Sequence, residues 1–304
     1  MDISVVGAAA VLDYIYRVDR LPVAGQISQI ISDSQGPYFG GGAPNIASGL
    51  ARLGHRVQLF YPVGDDFLGS SCETFWNTLG IDLSMLTVIK GQRSGFAYLF
   101  FNGEDNFCFA FPGASARAIN PGEVKLAKRV VIGPVLNAYT ISFLDAALKE
   151  GSELIVSGIA SSSIVDYLAY IQVFIVSWEE ANALCEQLKL DSLQHLADRM
   201  SDAKLYITHG KEGSVLYHNG SRREIPVISA NQLVDPTGAG DAYTAGVVTG
   251  ILRGFDPVIS GFIGATVASY AVEKVGAQNN LPDWPLVIDR LKAQAPDVSA
   301  GLEA

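Results

Sequence analysis

Asp235-Pro236-Thr237-Gly238-Ala239-Gly240-Asp241-Ala242-Tyr243 stands between an apolar strand end, Leu233-Val234, and an apolar helix that runs on to Leu252. A strand that feeds a glycine turn and then a helix is the repeating unit of an α/β chain. The two glycines let the backbone turn tightly and bring consecutive N–H groups to face one point. The helix start adds partial positive charge at the same point. Gly238, Ala239 and Gly240 therefore read as an anion site suited to a phosphoryl group. Asp241 stands at its mouth. A carboxylate beside a bound phosphate is repulsive, so a pure binding loop would avoid it. It makes sense as the acceptor of a proton from a hydroxyl attacking that phosphate. The plainer reading is that Asp241 caps the helix.

Two other glycine motifs do not fit. In the dinucleotide fingerprint GxGxxG the third glycine position is taken by Tyr243, and the acidic residue expected ~20 positions on is missing, Asp256 being nearer. In the P-loop GxxxxGK[ST], Gly210-Lys211 is followed by Glu212, and Leu205 takes the first glycine position.

Outward from this stretch the chain alternates. Apolar runs predict strands at 3–10, 57–63, 129–133, 153–157, 172–176, 204–208, 213–218 and 223–228. Helical spacing predicts helices at 44–53, 67–79, 138–150, 178–188, 239–253, 257–274 and 284–294. Such alternation implies a doubly wound, mostly parallel sheet with helices on both faces. Two insertions break the rhythm. Residues 13–36 are polar with short β-prone pieces. Residues 93–114 hold alternating Phe96, Tyr98 and Phe100, a turn at 102–105, then Phe107, Phe109 and Phe111, which is a β-hairpin. Together they read as one small accessory sheet on a single domain spanning 1–304. The tail 296–304 is expected to fray.

Composition narrows the function classes. Of 304 residues, 49% are hydrophobic and 17% charged, enough to bury a large core. A net charge of −10 without a basic run disfavours nucleic acid and anionic membranes as partners. Cys72, Cys108 and Cys185 are widely spaced, which argues against a disulfide framework or a structural zinc site. The expected compartment is the cytoplasm, since no signal peptide or membrane-spanning run is evident. The four histidines show no metal-ligand spacing, and no G-x-S-x-G elbow occurs.

Gly40-Gly41-Gly42-Ala43-Pro44-Asn45 is a second glycine turn before a helix. It admits close approach of a ligand, and Asn45 offers a donor and an acceptor to hydroxyls; a tight strand–helix turn explains the glycines equally. In Ser177-Trp178-Glu179-Glu180 the acids could organise a hydrated metal or favour a helix N-terminus.

Gly41-Gly42 with Asn45 near the front, and Asp-Pro-Thr-Gly-Ala-Gly-Asp at 235–241 near the back, resemble the two signatures of the ribokinase family of sugar and nucleoside kinases. The strand leading to Asp13, Pro112-Gly113-Ala114, Thr208-His209-Gly210 and Gly276-Ala277-Gln278 fall in family order. The resemblance implies a doubly wound body with a β-sheet lid made from the two insertions. It implies Asp241 as base, the N–H groups of Gly238, Ala239 and Gly240 around the transferring phosphoryl group, and Asp13, Gly41, Gly42 and Asn45 around the acceptor. Thr208, Gly210 and Gly276 would line the nucleotide site. ATP would be the donor and Mg²⁺ its counter-charge, held through water by Glu180. A monovalent cation (K⁺) binds in many relatives. The family's usual Asn-x-x-Glu is here Ser177 to Glu180, and the run from Ser157 to Ser177 is short.

The resemblance thus implies an ATP-dependent phosphotransferase acting on a hydroxymethyl group of a small sugar. A nucleoside kinase of the same fold is the nearest alternative. An NAD-dependent oxidoreductase and a non-catalytic sugar-binding protein stand further off. The hairpin rings could stack on the acceptor, or pack lid against lid in a homodimer, or lid against body.

Overall fold

The computed structural model describes residues 1–32, 36–102, 106–118, 122–159, 161–200 and 202–302. In chain order its first half comprises β1 (Ile3–Val6), β2 (Ala10–Val18), β3 (Ile30–Ser32), β4 (Tyr38–Phe39), α1 (Gly42–Arg52), β5 (Val57–Phe60), β6 (Pro62–Gly64), α2 (Ser71–Thr78), β7 (Thr87–Ile89), β8 (Gly95–Phe101), β9 (Asn106–Phe111) and β10 (Arg129–Ile132). Then come α3 (Ala138–Glu150), β11 (Glu153–Ser157), β12 (Ile171–Ser177), α4 (Trp178–Leu188), α5 (Leu193–Asp198), β13 (Lys204–Thr208), β14 (Ser214–His218), β15 (Ser221–Ile225), α6 (Ala239–Leu252), α7 (Pro257–Ala271), α8 (Trp284–Gln294) and α9 (Pro296–Ser299).

The described residues form an eight-stranded sheet in the order β15-β14-β13-β12-β11-β10-β1-β5, parallel from β13 to β5 and antiparallel over β14 and β15. Helices cover both faces. Val5 and Val6 are adjacent and fully buried, Val5 in the core under α1, α6 and α7, Val6 in the core under α3 and α4. A strand buried on both faces has to be apolar throughout, and each such side chain contributes about 1.5–3 kcal/mol. The strand order reverses between β1 and β10: β5 lies on one side of β1, and β10 to β13 on the other. In an open α/β sheet ligands bind at the carboxyl ends of the strands beside such a reversal. Gly7 and Gly133-Pro134 follow β1 and β10 at that point.

A second sheet, β3-β2-β8-β9 with β4 on β2, comes from the two insertions. Its register pairs Asp13 with Ala97 and Tyr14 with Tyr98, and Tyr98 with Phe109. Alternation then sorts its faces. Tyr14, Tyr16, Phe96, Tyr98, Phe100, Phe107, Phe109 and Phe111 share one face, where successive rings touch at centroid distances such as 5.1 Å (Tyr14–Tyr98) and 5.0 Å (Phe96–Phe111). Asp13, Ile15, Ala97, Leu99, Cys108 and Ala110 share the other.

Several boundaries differ from the sequence reading. The run 3–10 is two strands in different sheets, because the chain leaves the large sheet at Gly7 and turns at Ala9 (φ 131°). The helix expected at 67–79 begins at Ser71, where the Ser70 hydroxyl accepts the Glu73 N–H and caps it. The last strand stops at Ile225, before Pro226. The tail expected to fray is helical over Pro296–Ser299 and continues as a turn through Leu302, which packs on the core. The turn at 102–105 falls largely outside the described residues. The short α5, the helical stretch Ser162–Tyr170 and the β6–β7 pair were not anticipated.

Candidate active site

Asp241 occupies the third position of α6. The N-cap is Gly238, in left-handed conformation (φ 78°) and without a side-chain cap. Asp241 therefore does not cap the helix. Its Oδ2 instead accepts a hydrogen bond from Asn45 Nδ2 at 2.8 Å, across 196 residues of sequence. Burial pushes the carboxyl up to about 7; the Asn45 bond opposes this, and the charges of Asp13 and Glu180 add to it.

The turn before α6 is clipped at both ends. Asp235 Oδ1 accepts the Thr237 N–H at 2.9 Å, and its Oδ2 accepts the Gly276 N–H at 2.8 Å. A Cβ on Gly238 would overlap Ala277, so the two loops lie in direct contact. The Ala239 N–H donates to Pro236 O at 3.1 Å. First-turn N–H groups lack intrahelical partners, so Gly240 is the better placed of the two to meet an anion.

In front of this turn lies a cleft of about 260 Å³, lined by Pro134, Ser157, Gly158, Ser177, Glu180, Thr208, Pro236 and residues 238–241. Thr208 ends β13 and Glu180 lies in the first turn of α4. Ser177 and Glu180 form a capping box: Ser177 Oγ accepts the Glu180 N–H at 3.1 Å, and Glu180 Oε2 accepts the Ser177 N–H at 2.8 Å. Serine thus performs the capping that this strand–helix junction needs, and Glu180 still borders the cleft. Gly210 (φ 49°) opens an exposed turn after β13. Beside it the His209 ring stacks on Trp178 at 4.7 Å, a pairing that local sequence gave no reason to expect.

Asp13, Gly41, Gly42 and Asn45 approach Asp241 from the opposite side. Asp13 is buried, its carboxylate against Gly40, where any Cβ would collide with it. Burial first, and the charge of Asp235 second, push it up to about 7. Gly41 (φ 87°) is the N-cap of α1, and a Cβ there would overlap the Ala10 carbonyl. That carbonyl is held by the Tyr61 hydroxyl at 2.8 Å. A Cβ on Gly42 would overlap Pro134 and come within 3.3 Å of Asp241 Oδ1. The glycine turn is therefore tight, and Gly42 lies against Asp241. The cleft and the glycine turn that holds Asp13 meet at Asp241, beside the strand-order reversal.

The model of the pfkB family of carbohydrate kinases matches residues 2–284. The chain belongs to that family. It is 31% identical to a nucleoside kinase of Methanocaldococcus jannaschii over 95% of this chain and 96% of the relative, and 26% identical to a ribokinase of Bacillus subtilis over 92% and 96%. The crystal structure of the Methanocaldococcus kinase superposes with a TM-score of 0.82, covering 96% of this chain and 99% of the other. A Burkholderia thailandensis nucleoside kinase in complex with inosine superposes at 0.86 with 21% identity, covering 96% and 98%, which establishes the shared fold. The ribokinase resemblance and the doubly wound fold hold, and the chain is a kinase of an alcohol group.

Proposed function

We propose that this kinase transfers the γ-phosphoryl group of ATP to the hydroxymethyl group of a nucleoside's pentose. The observation that carries the transfer is Asp241, which does not cap its helix and stands where the cleft meets the glycine turn that holds Asp13. The hydroxyl proton passes to the Asp241 carboxylate, the freed oxygen bonds the phosphorus, and the bond to the departing ADP oxygen breaks. Backbone N–H groups of the turn from Gly238 through Gly240 stabilise the charge on the transferring group. Asp13 and Asn45 hold the acceptor's other hydroxyls, and Thr208, Gly210 and Gly276 border the ATP. Mg²⁺ usually keeps several waters and needs one or two carboxylates plus phosphates. Glu180, with one oxygen committed to Ser177 and the carboxylate on the cleft wall, fits that role. The ion supplies charge neutralisation for ATP when bound.

A nucleoside is favoured over the free sugar because two nucleoside kinases, at 31% and 29% identity, precede ribokinases at 25–26%. The lid face that carries Asp13 is small and aliphatic at Ala97, Leu99, Cys108 and Ala110. The aromatic face lies opposite, so its rings do not stack on the acceptor. With Phe109 56% and Phe111 46% exposed, we assign that face to a homodimer through the lid.

The test is a panel of inosine, guanosine, adenosine, cytidine, ribose and fructose, scored by ADP release with ATP and Mg²⁺. A kcat/KM for one nucleoside at least roughly tenfold above that for ribose is expected, since base contacts worth ~1.4 kcal/mol suffice. Preference for a free sugar would overturn the acceptor assignment and leave the chemistry standing.

A further inference from the structure

Behind Asp241 four buried side chains form a single hydrogen-bonded line. Trp76 on α2 and Ser48 on α1 are fully buried, and Asn45 on α1 and Gln278 after α7 are 5% and 6% exposed. The Trp76 indole can only donate. It lies 3.0 Å from one end of the Gln278 amide, which Ser48 Oγ also approaches at 2.9 Å. That end is therefore oxygen. The Gln278 NH₂ then faces Asn45 at 2.8 Å, so Asn45 must present its oxygen there. The Asn45 NH₂ is left to donate to Asp241 Oδ2 at 2.8 Å. One indole N–H thus sets the direction of every bond in the line, across 202 residues of sequence between Trp76 and Gln278. Neither amide can invert without placing buried oxygen against oxygen.

We propose that this line, which rests on the reading of Asp241 as base, selects the reacting oxygen. Oδ2 is held by Asn45, and Oδ1, facing Gly42 on the acceptor turn, takes the proton. Gln278, Trp76 and Ser48 are positioning residues that act through Asn45. The proton balance is that of the transfer itself: the hydroxyl hydrogen moves to Oδ1, the hydroxyl oxygen bonds phosphorus, and the electron pair of the cleaved bond leaves on ADP. Asp13 on β2 and Glu180 on α4 act on Asp241 by charge, and the Tyr61 phenol between β5 and β6 faces it uncharged. Their charges and burial raise its titration, the Asn45 bond opposes them, and the line sets which oxygen takes the proton.

Gln278→Glu tests this. A carboxylate would accept from Trp76 and Ser48 but could not donate to Asn45. The Asn45 amide would turn over and present oxygen to Oδ2, removing the bond that keeps Asp241 ionised. The acid limb of kcat/KM should move to higher pH by about one unit, with a roughly fivefold lower value near pH 7 and an unchanged KM for ATP. Trp76→Phe, which deletes only the directing N–H, should move the limb the same way by less. Melting curves confirm folding, and if Gln278→Glu does not fold, Trp76→Phe alone decides. A folded variant with a wild-type acid limb overturns the proposal. Asp241→Asn measured alongside separates the two readings: near-normal activity there sinks the base itself, whereas an inactive Asp241→Asn with an unmoved limb in Gln278→Glu sinks only the line.

Discussion

Asp13 and Asp241 are carboxyls pushed to about 7 by burial, each helped by another acid. Raised values place their ionisation near neutral pH. With Asp241 as the proposed base its charged form is the active one, so kcat/KM should fall on the acid side of about pH 7 and level off above it. Rates from pH 5.5 to 9 check this, and a flat profile to pH 5.5 would contradict it. Asp13→Ala should act on binding: losing hydrogen bonds from a charged group costs ~1.5–3 kcal/mol, a KM for the acceptor roughly 10–150-fold higher. Gly238→Ala should cripple turnover while leaving most of the fold, because φ 78° disfavours a side chain and the new Cβ meets Ala277. Asp241 could be read from its own neighbours, since a glycine turn, a helix start and an acid are local facts. Gln278 and Trp76 could not. A buried glutamine and a buried indole each demand a partner, but only the fold brings helix α2 to the loop after α7.

At the level of elements, the strands and helices followed from periodicity because each buries a stripe whose spacing is set by its own backbone. What alternation left open was orientation. The sequence shows that the rings of 96–111 share one face of a hairpin; it cannot show which face meets the body. The pairing of Asp13 with Ala97 settles it, and that pairing joins two insertions over 80 residues apart. Cys108 is on the Asp13 face, and partial burial first and the Asp13 charge second raise its thiol. Alkylation of Cys108 by a bulky maleimide should therefore lower activity, and saturating acceptor should protect it; equal labelling with and without acceptor would contradict the face assignment. On the opposite face, Phe109→Ser with Phe111→Ser should shift the mass measured by light scattering from dimer to monomer. The capping box of α4 makes a separate claim. Ser177→Ala should cost about 1 kcal/mol in denaturant unfolding, with the KM for Mg·ATP little changed, because the Ser177 backbone N–H that holds Glu180 Oε2 remains.

Across the whole molecule, the reversal of strand order puts the ends of β1 and β10 side by side, and both glycine turns converge there. Buried acids at that point carry a stability cost. Their folded values, about 7, lie above the ordinary 3.8, so their contribution is most favourable below 3.8 and is lost as pH rises through 7. The ligand-free protein should melt at a higher temperature at pH 6 than at pH 8. Asp13→Asn should flatten that slope, which separates the buried acid from the general self-repulsion of a −10 chain. On the proposed function, that net charge also means ATP is drawn by the local N–H groups and Mg²⁺, not by the protein's overall field. The central claim is that phosphoryl transfer here runs through the Asp241 carboxylate. Asp241→Asn keeps shape and hydrogen-bonding capacity but not the base. Turnover of the preferred acceptor at saturating ATP should drop by about 10²–10⁴ with a melting temperature no lower than wild type; turnover within a few-fold of wild type would contradict the account.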